Sequence, residues 1–460
     1  MLEAQRITEL NFKQIFFKER KFDKKMISEA IERLAQYLVQ NLRSASPFIL
    51  LATYNHIKSL ISYYAIIKAG KIPAILDPGC KSIELSEIIE EIDPAAIIFL
   101  NSSEIAFRYE EEVVFRKQKP GFIIKSDLKD VCTLAFTNAE DGFSKGAMLT
   151  EKNLLAEINA LICTNRLEDS SVTCALLPFS HLFGLVQGIL VPTHAGSTGV
   201  IMDMDILKIN EFVARIQHYK VTHLYTVPSL YYLLSKVPGI ESVVRGIQEF
   251  YSGGTQLSSF IFSTFYKKTS RKIREGYGLT ESAPGVALNF DDEGPVMDSI
   301  GKPLPGCEIK ILDEDDRECP PDHIGEICIK GDMVFKGYFN RIETTKMVLK
   351  DSWLHTGDYG KKDLKGYIYF CGLKKDMINV AGNNVYPKKL ERLIRLNKEV
   401  ANIKVFHQDS VIQGHVVGAN IQLQNPSEKT QEELKKWCYE NINNITLPKI
   451  WLFEESEYNM

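Results

Sequence analysis

Apolar positions along the first 240 residues switch repeatedly between two periods. Residues 25–43 (KMISEAIERLAQYLVQNLR) place Ile27, Ala30, Leu34, Leu38 and Leu42 at three- and four-residue spacing, one face of an amphipathic helix. Short continuous apolar runs follow, FILLATY (48–54), IPAILDP (72–78) and AAIIFLN (95–101), with the helix-like SLISYYAIIKAG between the first two. Runs of this length read as buried strands. The alternation resumes with a helix over 151–164, a strand at TCALLPF, a helix over 204–218, a strand at THLYTVP and a helix over 229–236. Strand and helix in turn predict an α/β fold of mostly parallel sheets with crossover helices.

From about residue 300 the period shortens to two. CEIKILDEDD and GEICIKGDMVFKGYFN alternate apolar with polar residues between Gly and Pro breaks, which predicts a small antiparallel unit. The charged stretch KKDLKGYIYFCGLKKD then leads to a helix over 387–397, strands over 402–407 and 414–423, and a helix over 430–442, a small α+β unit. The expected division is a large N-terminal domain, 1–370, and a small C-terminal domain, 371–460. A chain of 460 residues is too long for one ordinary core, which agrees with that division.

Composition narrows the function classes. With 45% hydrophobic and 25% charged residues the chain is globular. Its formal net charge is −4 and its basic residues form no stripe, which argues against a nucleic-acid partner. Nine scattered cysteines without a C-x-x-C pair fit reduced thiols better than a disulfide frame or a zinc site. The polar start MLEAQRITELNFKQ shows no cleavable signal, and no apolar run nears the ~18 residues that a membrane span needs. A cytoplasmic protein is expected.

Six stretches carry the chemistry: YSGGTQLS (251–258), REGYGLTES (274–282), GKPLPGCEIKI (301–311), GEICIKG (325–331), WLHTGD (353–358) and KKDMINVAGNNVYPKKLE (374–391). In this order they resemble the adenylate-forming superfamily, the acyl-CoA synthetases and AMP-dependent ligases, from about residue 25 onward. The resemblance implies activation of a carboxylic acid by Mg-ATP to an acyl-adenylate. Transfer to a thiol follows, from CoA or from the phosphopantetheine of an acyl carrier protein. It also implies a mobile C-terminal domain hinged at Lys375.

Residue by residue, the resemblance assigns Tyr277, Gly278, Thr280 and Glu281 to the adenine and α-phosphate motif, with Glu281 suited to Mg²⁺ as a hard oxygen ligand. A helix-capping turn is the plain alternative for the same residues. Asp358 matches the carboxylate that grips the ribose diol, although TGD alone also fits an Asp turn. Gly253 and Gly254 let the backbone approach the nucleotide, or simply form a tight turn. His181, Val227 and Gly276 are expected around the acyl group; a lone His beside apolar residues is otherwise a core histidine. Gly382, Asn384 and Tyr386 match the thiol tunnel, with Pro387 opening the next helix.

Three departures fall on the ATP half-reaction. Relatives carry Thr-Ser-Gly-Thr-Thr-Gly-x-Pro-Lys-Gly where this chain has Thr137 to Gly146. Thr137, Gly142, Lys145 and Gly146 are kept, but Ala139 replaces a glycine and Glu140 and Asp141 replace the two hydroxyl residues. A carboxylate about 4 Å from a phosphate charge costs on the order of 4 kcal/mol at an effective dielectric of about 20. Acids pointing to solvent would avoid that cost. Leu373 stands where the family has an arginine. The sequence also ends at Met460, short of the segment whose lysine bridges the α-phosphate and the acid. Three outcomes stay open: a ligase with weakened adenylation, an acyl transferase taking a preformed adenylate or thioester, and a non-catalytic scaffold bound to sister biosynthetic enzymes.

Overall fold

The computed structural model describes residues 6–100, 108–137, 144–202, 208–289, 294–373, 378–380, 383–385, 387–410, 414–444 and 446–454. Gly142, Lys375, Gly382 and Tyr386 of the expected site, together with Glu140 and Asp141, lie outside these residues.

Two sheets carry the α/β part. In one, Gln14–Phe17, Thr198–Ile201, Val172–Ala175, His223–Thr226, Glu249–Ser252 and Arg274–Gly278 run parallel in that spatial order. Gly285–Leu288 and Lys302–Pro303 extend one edge antiparallel, and Arg20–Phe22 closes the other. The second sheet centres on the parallel strands Ala96–Phe99, Phe48–Ala52, Ile72–Leu76 and Val131–Thr137. Phe48–Ala52 and Ile72–Leu76 are buried at every position, as strands covered on both faces must be. This is the expected α/β architecture.

Local signals set the helix boundaries. Asp23 accepts from Met26 N (2.8 Å) and opens the helix Lys24–Asn41. Thr150 and Asn153 form a reciprocal capping box that starts Glu151–Thr164 at the expected residue. The period-two region forms an antiparallel sheet of Cys307–Leu312, Gly325–Gly331, Trp353–Lys362 and Leu349–Lys350, with Ile368–Leu373 paired to the third.

Two elements differ from the expected pattern. The hairpin Gln14–Phe22 was not picked out from the sequence, yet Ile15 and Phe17 are each 1% exposed. Strand Ile450–Glu454 pairs parallel with Gly414–Leu423 and completes a sheet whose other members include Val400–Ser410. The helices Pro387–Arg395 and Glu428–Asn441 belong with it.

By contacts the chain falls into two units, one of residues 1–78, 93–136 and 146–372 and one of 79–92, 137–145 and 373–460. The smaller unit therefore draws on two stretches that precede residue 370. Within it, Lys389 donates to Glu84 Oε1 (2.5 Å) and Ser144 Oγ (3.1 Å), and Arg392 makes a two-bond fork on Glu87 (2.8 and 3.1 Å).

Candidate active site

In the larger unit, parallel strands end side by side at Thr226, Ser252 and Gly278, and the expected site residues gather just beyond. Such carboxyl ends are where open α/β sheets take ligands. Gly253 N donates to Thr226 O (3.2 Å), and Gly254 turns at φ +80°. Glu275, 5% exposed, accepts from Leu257 N (2.8 Å) and so ties this loop to the neighbouring strand. Burial pushes the Glu275 carboxyl up to about 8, against the Leu257 N–H that favours its charged form.

Tyr277 and Asp358 come together from strands far apart in sequence. The phenol donates to Asp358 Oδ2 (2.6 Å). Burial and the adjacent carboxylate hold Tyr277 protonated well beyond the ordinary tyrosine range. Asp358 is itself braced, its N–H donating to Thr356 Oγ1 (3.1 Å) and the preceding Gly357 N to Glu326 Oε1 (2.8 Å). Gly278 is glycine for a steric reason, because a Cβ there would run into the backbone carbonyl of Pro284.

Thr280 and Glu281 form a short 3-10 turn over Thr280–Ser282, pinned by Leu279 N to Ser282 Oγ (3.0 Å). Tyr338 donates to Glu281 Oε1 (2.6 Å), and Glu281 O accepts from Phe335 N (2.9 Å). The capping alternative is thus partly realised, by Ser282 rather than Thr280. The Glu281 carboxylate, oriented by a phenol, fits a hard cation such as Mg²⁺.

Beside these residues lies a cavity of about 100 Å³ bounded by Gly253, Gly276, Tyr277 and Phe183. Tyr225 and Tyr251 stack against each other on its wall, centroids 4.9 Å apart and 10° from parallel. Of the three residues expected around the acyl group, Gly276 is on this wall. His181 is exposed at the cap of the turn Leu182–Leu185, and Val227 is half-buried before the helix Pro228–Ser235. Gly146 is buried in the larger unit, whereas Thr137 and Lys145 group with the smaller one. There the Asn384 backbone pairs with Asn379 in a two-strand ladder.

Residues 15–339 match the AMP-binding enzyme family. The chain belongs to this family. It is 31% identical over 331 residues to a long-chain-fatty-acid–CoA ligase of Escherichia coli, covering 71% of this chain and 59% of that one. It therefore spans about three-fifths of the length of such curated relatives. Among solved structures it superposes on o-succinylbenzoate CoA synthetase of Bacillus subtilis with a product analogue bound (TM-score 0.83, 22% identity, 98% and 94% covered). ATP-bound MatB of Rhodopseudomonas palustris is also similar (TM-score 0.70, 25% identity, 97% and 93% covered).

Several residues of this candidate site were not picked out from the sequence. Tyr338 sits in the motif-like FKGYFN, but only the fold puts it on Glu281. Glu157, Asn165 and Gln187 reach the cavity from helical segments. For Glu157 a signal existed: it interrupts the apolar stripe Leu154, Ile158 and Leu161 on one helix face.

Proposed function

We propose that this AMP-binding enzyme joins a carboxylic acid to a thiol by way of an acyl-adenylate. The observation that carries the reading is the pairing of Tyr277 with Asp358 and of Tyr338 with Glu281 at the ends of parallel strands, next to a largely apolar cavity. Asp358 supplies the acidic acceptor that a ribose diol calls for, with Tyr277 fixing its orientation. Mg²⁺ bound at Glu281 would neutralise charge as pyrophosphate leaves. Lys145 is the cation next to the phosphate loop. The thiol is that of CoA or of a carrier protein, and the family resemblance assigns Gly382, Asn384 and Tyr386 to it.

The adenylation half-reaction is slow in this reading. Glu140 and Asp141 place negative charge where relatives offer hydroxyls, and Leu373 has no guanidinium to offer a phosphate or ribose. These same residues favour a second reading, in which a preformed adenylate or thioester enters and only acyl transfer is catalysed. Pyrophosphate release from Mg-ATP across a panel of carboxylic acids separates the two. Release with any acid supports the ligase. Its absence, with thiol-dependent transfer from a synthetic acyl-adenylate, supports the second reading. Neither activity would sink both.

A further inference from the structure

Within the smaller unit, Val400–Ser410 and Gly414–Leu423 form an antiparallel ladder that runs from Val400 opposite Leu423 to Ser410 opposite Gly414. One face of this ladder is core: Ile403, Val405, Val417, Ala419 and Ile421 are each 6% exposed or less. Side chains alternate along a strand, so the same face continues through His407, Asp409 and His415. These three stand where the apolar pattern stops, at the end of the ladder beside its turn. The Asp409 side chain is 90% exposed and that of His415 33%, so solutes reach both.

Register brings the three residues together. Asp409 pairs directly with His415, and His407, two residues earlier on the same strand, lies diagonal to His415. His415 Nε2 is 3.6 Å from Asp409 Oδ1. The two imidazole rings meet edge to face, with centroids 4.7 Å apart and planes at 79°. One donor atom from each of the three residues lies within 4.8 Å of the other two. An exposed ion pair contributes little to stability, and it does not call for a second imidazole.

We infer that His407, Asp409 and His415 form a binding site for a divalent transition-metal ion, with zinc the best match. Two imidazole nitrogens and a carboxylate oxygen are donors that zinc takes, whereas Mg²⁺ and Ca²⁺ prefer oxygen alone. At Zn–N and Zn–O lengths of about 2.0–2.2 Å, two tetrahedral ligands lie about 3.4 Å apart. The 3.6 Å between His415 and Asp409 is close to that spacing. Rotation of the exposed side chains brings in the more distant pair. Three protein ligands leave a fourth position for water or an outside donor. The bound ion cross-links the two strands at the end of their ladder and holds that end against fraying. None of the nine cysteines takes part, and nothing in the site depends on the ligase reading.

The test uses the full-length protein, stripped of metal with a chelator and titrated with zinc chloride in a calorimeter, with magnesium chloride as the control. Zinc should bind at least about tenfold more tightly than Mg²⁺. His407→Ala and His415→Ala should each weaken zinc binding about tenfold or more, or remove one equivalent of it, and Asp409→Asn should weaken it several-fold. The three substitutions fall on the exposed end of the ladder, and any one of them decides the matter if another disturbs the fold. Zinc bound no more tightly than Mg²⁺, or not at all, overturns the inference. So does zinc binding that the three variants leave unchanged. If Cys328→Ser removes that binding, the ion belongs to Glu326, Cys328 and His355, a second group whose donor atoms lie as close together.

Discussion

Tyr277 Oη lies 2.6 Å from Asp358 Oδ2, the tip of a parallel-sheet strand donating to a carboxylate on an antiparallel one. The contact fixes the orientation of the carboxylate that the proposed reading assigns to a ribose diol. Tyr277→Phe removes one hydrogen bond to a charged group and leaves the ring. AMP should then bind about tenfold more weakly, roughly 1.4 kcal/mol, by calorimetry, with the melting temperature little changed. Unchanged AMP affinity would detach this pair from nucleotide binding.

Glu281 and Tyr338 form the second pair of this kind, and Mg²⁺ is the reagent that interrogates it. Glu281→Gln keeps an acceptor for the phenol but loses the ionic ligand. The Mg²⁺ concentration for half-maximal pyrophosphate release should rise about tenfold, with a smaller rise for Tyr338→Phe. Identical Mg²⁺ curves for all three proteins would place the metal elsewhere.

The acidic loop can be reverted. Glu140→Thr with Asp141→Thr removes two charges and restores two hydroxyls. Pyrophosphate release should increase about a hundredfold, a gain below the order of 4 kcal/mol per charge pair that unscreened proximity would imply. Adding Leu373→Arg should raise it further. No gain in either variant would mean that both acids point to solvent.

Glu275 predicts a pH effect on stability. Its folded pKa, about 8, lies above the ~4.3 of an unfolded glutamate, so between these values the folded chain holds a proton that the unfolded chain has released. Its stabilising contribution is complete below pH ~4.3 and is lost as pH rises to about 8, on the order of 5 kcal/mol in total. Glu157 acts in the same direction. Glu275→Gln should flatten the fall in melting temperature across that window. A variant that keeps the wild-type slope would assign the dependence to other groups.

The α/β alternation was legible because covered parallel strands such as Phe48–Ala52 are apolar without interruption, and because Thr150 and Asn153 announce a helix start. The antiparallel region was legible from its period of two. The Gln14–Phe22 hairpin was not, since its second strand is exposed and its first depends on a distant partner for burial. The role of Lys389 was not legible either, because its partner Glu84 comes from a distant stretch of the chain. The grouping of polar residues around the cavity was hidden for the same reason, although Glu157 alone left a trace in its helix stripe. Glu157, Gln187 and Ser252 sit on separate elements, and no spacing along the chain connects them.

The hairpin at Gln14–Phe22 has a consequence for biosynthesis. Gln14 pairs with Thr198 and Phe17 with Ile201, so its strand leaves the ribosome long before the one it lies against. Throughout that interval Ile15 and Phe17 have no sheet to enter, and a nascent chain stalled before residue 198 would present them to chaperones. Full emergence of Thr198–Ile201 is the earliest moment at which that edge of the sheet can close.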